Sequence, residues 1–120
     1  MADRPVVVVT DEARLRAEIS DGMPAGFALH LAHDAREAFE VMRRVTPAVA
    51  VVDIRTGSAG GVGLARDMAQ VGRLANVPIL MLLERPQDEW LARTAGARTI
   101  RTRPVSVETL VRDIRELASS

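Results

Sequence analysis

The sequence has no cysteine and no lysine. Without a thiol there is no disulfide framework, no thiolate nucleophile and no cysteine metal site. All 16 basic residues are arginine, spread over the whole chain, so a single arginine standing where a lysine is expected says little by itself. No apolar run approaches the roughly 18 residues of a membrane span, and no leader-like segment is apparent, because the first residues run straight into a strand pattern. Neither sign of charge is in excess. The formal net charge is +0, which removes long-range steering toward nucleic acid or an anionic membrane. The 120 residues suffice for one domain with a sizeable core and are too few for two. The expectation is a single cytoplasmic α/β domain over residues 1–120.

What is present is an alternation of apolar runs and helical spacings. Residues 1–4 read as an unstructured start and residues 5–9 as the first strand, with Pro5 at its edge. From Asp11 the spacing turns helical, with Leu15 and Ile19 on one face. Phe27, Leu29 and Leu31 give a second strand. Asp34 is placed to cap the helix that carries Ala38, Phe39, Met42 and Val45, with Glu37 in the capping-box position. Residues 49–52 form a short continuous apolar run, the mark of a strand buried on both faces. It delivers one carboxylate, Asp53, into a loop containing Gly57, Gly60, Gly61 and Gly63.

A short third helix is expected around Leu64, Ala65 and Met68, and a fourth strand over residues 77–83. Pro86 starts a fourth helix through Ala95, and a brief fifth strand covers residues 99–102. A terminal helix beginning near Ser106 carries Leu110, Val111, Ile114 and Leu117. Strand and helix alternate five times, which is a (βα)5 domain with a parallel sheet. In such a sheet functional groups gather at the carboxyl ends of the strands, so Asp11 and Asp53 are expected to share one crevice.

Five stretches resemble the receiver domain of the bacterial two-component response-regulator family, in order and over essentially the whole chain: VVVVTDEARL (6–15), HDAREAFEVM (33–42), PAVAVVDIRTGSAGGVGL (47–64), PILMLLER (78–85) and GARTIRTRPV (96–105). The resemblance implies a three-layer, flavodoxin-like and receiver-like α/β fold with sheet order 2-1-3-4-5. It implies that Asp53 is the phosphoacceptor, loaded by a histidine kinase or phosphotransfer protein. It places Asp11 as the second acid of the metal-binding pair, with Thr10 where the first belongs. A weakly held Mg2+ would lie on Asp11, Asp53 and the backbone carbonyl of Arg55. Arg103, before Pro104, stands at the lysine that pairs with the phosphoryl group. At the two switch positions the hydroxyl residue is replaced by Leu83 and the aromatic by Ile100.

The departures differ in weight. Thr10 takes one negative charge from a magnesium site that favours carboxylates. Leu83 removes a donor from where phosphoryl charge is stabilised. Arg103 keeps the charge but is a planar fork and not a point charge. The expectation is altered and weak phosphorylation, no enzymatic activity beyond self-phosphorylation and dephosphorylation at Asp53, and output through contacts with a downstream protein. The alternative is a pseudo-receiver acting as a constitutive interaction or dimerisation domain. An unrelated small enzyme would need a deep apolar pocket and finds no Ser-His-Asp set or carboxylate pair. The glycine loop matches neither a dinucleotide fingerprint nor a P-loop. His30 and His33 read as structural or surface residues.

Trp90 reads as half-buried on the sheet, with an exposed partner anchor as the alternative. A homodimer through the fourth helix, fifth strand and fifth helix would use Arg93, Arg98, Arg101, Arg112 and Arg115 with Asp88, Glu89, Asp113 and Glu116, and no direct nucleic-acid or membrane contact. The interface candidates are Trp90, Arg101 and Arg112.

Overall fold

The computed structural model describes residues 3–55 and 60–119. Five strands, β1 (Arg4–Val9), β2 (Phe27–Ala32), β3 (Val49–Asp53), β4 (Ile79–Leu83) and β5 (Thr99–Thr102), form one sheet. Every neighbouring pair is parallel and the order is β2-β1-β3-β4-β5. The helices are α1 (Ala13–Gly22), α2 (Ala35–Arg44), α3 (Gly60–Ala69), α4 (Glu89–Thr94) and α5 (Val107–Ser119).

The two faces of the sheet follow from the period of two in its central strands. Val6, Val8, Val49, Val51, Leu80 and Leu82 pack with Leu15 and Ile19 of α1 and Leu110, Ile114 and Leu117 of α5. Val7, Val9, Ala50, Val52, Met81 and Leu83 pack with Ala38 and Met42 of α2, Leu64 and Met68 of α3, and Ala92 of α4. Residues 6–9 of β1, 49–52 of β3 and Ile79–Leu83 of β4 are therefore apolar throughout because each residue meets a helix layer on one side or the other. Each such fully buried aliphatic side chain stabilises the fold by about 1.5–3 kcal/mol relative to exposure.

Several local boundaries differ from the sequence expectation. Arg4 belongs to β1, paired with Phe27, which shortens the expected unstructured start; Met1 and Ala2 lie outside the described residues. β4 starts at Ile79 because Pro78, which has no N–H, precedes it. α3 begins at Gly60, four residues ahead of Leu64. Gly61 lies so near β3 that a Cβ there would sit 2.8 Å from the backbone oxygen of Asp53 and from Val52 Cγ1. The helix starts early because glycine permits that approach. Gly57 of the predicted loop lies outside the described residues.

The fourth helix is split into a 3-10 turn (Pro86–Asp88) and the short α4. Its buried residues are Ala92 and, just past its end, Ala95. Trp90 projects from the other side and is 73% exposed, which corrects the half-buried placement. At α2 the Asp34 carboxylate accepts the Glu37 N–H at 2.9 Å, as its capping role predicts. The Glu37 side chain pairs with His33 Nδ1 at 3.1 Å. His30 is half-buried in β2. Ser106 caps α5 by accepting the Thr109 N–H. No helix among the described residues is long and apolar enough to cross a membrane.

Candidate functional site

Strand register assembles the site. Val9 pairs with Val52, Asp53 with Leu82, and Leu83 with Thr102. One residue further along, Thr10 falls beside Asp53 and Glu84 beside Arg103. All four lie at the carboxyl edge, where strands end and side chains turn toward the helix connections.

Asp53 is 3% exposed. Its Oδ2 accepts from Thr10 Oγ1 at 3.1 Å and from Arg103 Nη2 at 2.8 Å. Its Oδ1 accepts the backbone N–H of Arg55 at 3.1 Å. The Thr10 hydroxyl also accepts the Glu12 N–H at 3.2 Å, which fixes the start of the connection to α1. A buried carboxylate needs this kind of compensation, since an unpaired charge away from water is costly.

Arg103 is the centre of the network, with its side chain 18% exposed. Beyond Asp53, its Nη1 lies 3.0 Å from Glu12 Oε2. Its Nε lies 3.4 Å from Glu84 Oε1, inside ion-pair range. That Nε is buried and donates no hydrogen bond, so the contact with Glu84 is electrostatic without donor alignment. Glu84 Oε1 is also 2.9 Å from Arg55 Nη2. Three carboxylates and two guanidiniums thus link the loops after β1, β3, β4 and β5.

Thr10, Asp53 and Arg103 come together here. Asp11 is exposed, and the ion pair with Arg103 goes instead to its neighbour Glu12. Glu12 and Glu84 are participants the sequence reading missed. The signal for Glu84 was available: it is the first residue past β4, as Asp53 is the last of β3. Leu83 is wholly buried in the core layer under α2, α3 and α4, and Ile100 packs against the same layer from β5. The Arg103–Pro104 peptide is cis.

Magnesium is usually held by one or two carboxylates with water completing an octahedron. Asp53, Asp11 and the Arg55 carbonyl are oxygen donors of that chemistry; Asp11 is exposed, and Asp53 is engaged by Thr10, Arg55 and Arg103. Among the described residues no group of three or more histidine or acidic side chains is placed to hold a metal ion. A cleft of about 480 Å³ opens beside Arg103, between α1 and the end of β5, lined by Glu12, Leu15, Glu18, Glu84, Arg103 and Pro104. Its lining is charged, unlike the apolar pocket of a small-molecule enzyme.

A second polar cluster lies on β5 and α5. Arg101 Nε and Nη2 donate to the two oxygens of Asp113 at 2.7 and 2.9 Å. Asp113 is buried on the apolar face of α5, and its hydrogen bonds, then its charge, raise the Arg101 pKa above the ordinary value. Arg93 pairs with Glu89 at 2.8 Å and Arg85 with Asp88 at 3.1 Å. Much of the charge expected to serve a dimer face is therefore engaged within one chain, and Arg112 is exposed beside Val107 and Val111.

No family model matches the chain. Among curated proteins, the sensor histidine kinase TmoS of Ectopseudomonas mendocina is 25% identical over 89 residues, 73% of this chain. The chain spans 9% of that relative's length. Solved structures match over nearly the whole chain. The chemotaxis response regulator CheY4 of Vibrio cholerae gives a TM-score of 0.86 at 23% identity, covering 97% of this chain and 99% of that one. A CheY-like response regulator receiver domain from Methanospirillum hungatei gives 0.87 at 16% identity, covering 98% and 95%. The receiver domain of a signal transduction histidine kinase from Syntrophus aciditrophicus gives 0.83 at 20% identity, covering 97% and 90%.

Proposed function

We propose that this domain, which has the receiver-domain fold of response regulators, is a signalling module in which Asp53 is the phosphoacceptor. The observation that carries this reading is the seating of Asp53: buried at the carboxyl edge of β3, with Arg103 Nη2 2.8 Å from Oδ2. A guanidinium in that position is placed to stabilise charge on a phosphoryl group attached there. The donor would be a histidine kinase or a phosphotransfer protein, and the setting cytoplasmic. Asp53, Asp11 and the Arg55 carbonyl would hold a Mg2+ ion weakly, and the ion would supply positive charge against that of the phosphoryl group.

In this reading phosphorylation is weak. Both oxygens of Asp53 already accept hydrogen bonds, and the apolar Leu83 offers no donor beside them. Output runs through protein contacts at α4, β5 and α5, where Trp90 is the exposed aromatic anchor and Arg112 an exposed charge, toward a downstream protein or a second copy. The ion pairs that already engage Arg103 favour a second reading, a phosphorylation-independent pseudo-receiver with constitutive contacts.

Intact mass spectrometry after incubation with acetyl phosphate and Mg2+ separates the two. The first reading expects a fractional gain of one phosphoryl group that is absent in Asp53→Asn. No gain in the unaltered protein supports the second.

A further inference from the structure

Glu84 has no role in the site as the sequence presented it, yet it touches both guanidiniums there. Its Oε1 lies 2.9 Å from Arg55 Nη2 and 3.4 Å from Arg103 Nε. Arg55 reaches Asp53 through its backbone N–H, and Arg103 reaches it through Nη2. The Glu84 side chain is 37% exposed and lines a cleft together with Arg103, whereas Asp53 on the other side of that guanidinium is buried. A phosphoryl group drawn to the Arg103 guanidinium from this cleft meets a carboxylate.

We propose that Glu84 gates Asp53, its carboxylate clamped between Arg55 and Arg103 so that it withholds both guanidiniums from an arriving phosphoryl group and repels it. This rests on the reading of Asp53 as phosphoacceptor and adds the residue that sets its rate. Two observations carry it independently. One is the ion-pair geometry, which places a negative charge against the guanidinium that pairs with Asp53 and against that of Arg55. The other is the buried Arg103 Nε, which donates no hydrogen bond. A buried donor left without an acceptor is unfavourable. A phosphoryl oxygen supplies that acceptor once Glu84 withdraws.

The step itself is simple. A carboxylate oxygen of Asp53 attacks the phosphorus of an acyl phosphate, and a P–O bond to Asp53 forms as the P–O bond to the carboxylate leaving group breaks. The leaving group departs with the electron pair, and no proton is transferred. The phosphoryl charge arrives at the Asp53 end, where Arg103 Nη2 is in contact with the carboxylate and Glu84 holds the Nε of the same guanidinium. Glu84 is a positioning residue, acting through the two arginines.

The test compares the unaltered protein with Glu84→Gln, which keeps shape and removes charge, and with Asp53→Asn as the blank. Each is incubated with acetyl phosphate and Mg2+, and phosphoryl gain is followed by intact mass at low and at high salt. E84Q is expected to label about three- to tenfold faster at low salt, the scale of one like charge at partly solvated distance. Salt is expected to speed the unaltered protein more than E84Q, because screening weakens only the repulsion that is present; a purely structural role would not produce that difference. Equal or slower labelling of E84Q, with the unaltered protein labelled, overturns the gate and leaves the phosphoacceptor reading standing. No labelling of either protein overturns both.

Discussion

Arg103 holds its neighbours by compensating three carboxylates at once. Arg103→Ala leaves the buried Asp53 without its strongest partner. Loss of one partner of a buried pair costs about 3–5 kcal/mol, and partial exposure of Glu12 and Glu84 lowers this to about 2–3 kcal/mol. Urea denaturation measures it, and a loss under about 0.5 kcal/mol would contradict the assigned network. Arg103→Lys is expected to recover part of the stability, since a point charge satisfies Asp53 but cannot span Glu12 and Glu84 together. At this scale the apolar run over residues 49–52 pointed to Asp53, whereas Thr10 and Arg103 were reached through the family resemblance, Arg103 following the mixed strand Thr99–Thr102. The sequence did not show Glu12 or Glu84. Which of two adjacent acids meets an arginine depends on side-chain reach across the strands, and adjacent positions look alike in a linear pattern.

At the scale of elements, α3 and α4 show where periodicity misleads. Gly60 and Gly61 read as loop because glycine weakens helices, yet Gly61 lets α3 start against β3. Gly61→Ala would force a Cβ to within 2.8 Å of the Asp53 carbonyl and is expected to destabilise the fold by about 1–3 kcal/mol, measurable as a lower denaturation midpoint. A neutral effect would mean that α3 yields freely. In α4 the apolar Trp90 suggested burial, but the buried positions are filled by Ala92 and Ala95, too small to be conspicuous in the sequence. Trp90→Ala is therefore expected to change stability by less than about 0.5 kcal/mol. A loss above about 2 kcal/mol would return Trp90 to the core.

The β5–α5 junction has the opposite character. Arg101→Ala leaves Asp113 buried and unpaired, and about 1–2 kcal/mol is expected from the same measurement, reduced because the Arg101 side chain is more than a third exposed. Asp113 was legible only as one surface charge among several. Its place on the Leu110–Ile114–Leu117 stripe was the signal that it faces inward.

For the whole molecule, the alternation of strands and helices and the parallel order were readable because each central strand is built on a run of four or five apolar residues and α1, α2 and α5 each carry an apolar stripe. The apolar replacement of both switch positions, Leu83 and Ile100, was readable as well. In the fold the two pack into one apolar layer with Ala92, so neither position offers a polar side chain to be pulled. A switch needs two arrangements close in free energy and a ligand that binds them differently, and this packing favours one arrangement. Backbone amide spectra with and without a beryllium fluoride adduct at Asp53 test that account most directly. Shifts confined to Thr10–Glu12, Asp53–Arg55, Leu83–Glu84 and Arg103 are the predicted result. Large shifts spreading through α4 and β5, from Trp90 to Arg101, would contradict it.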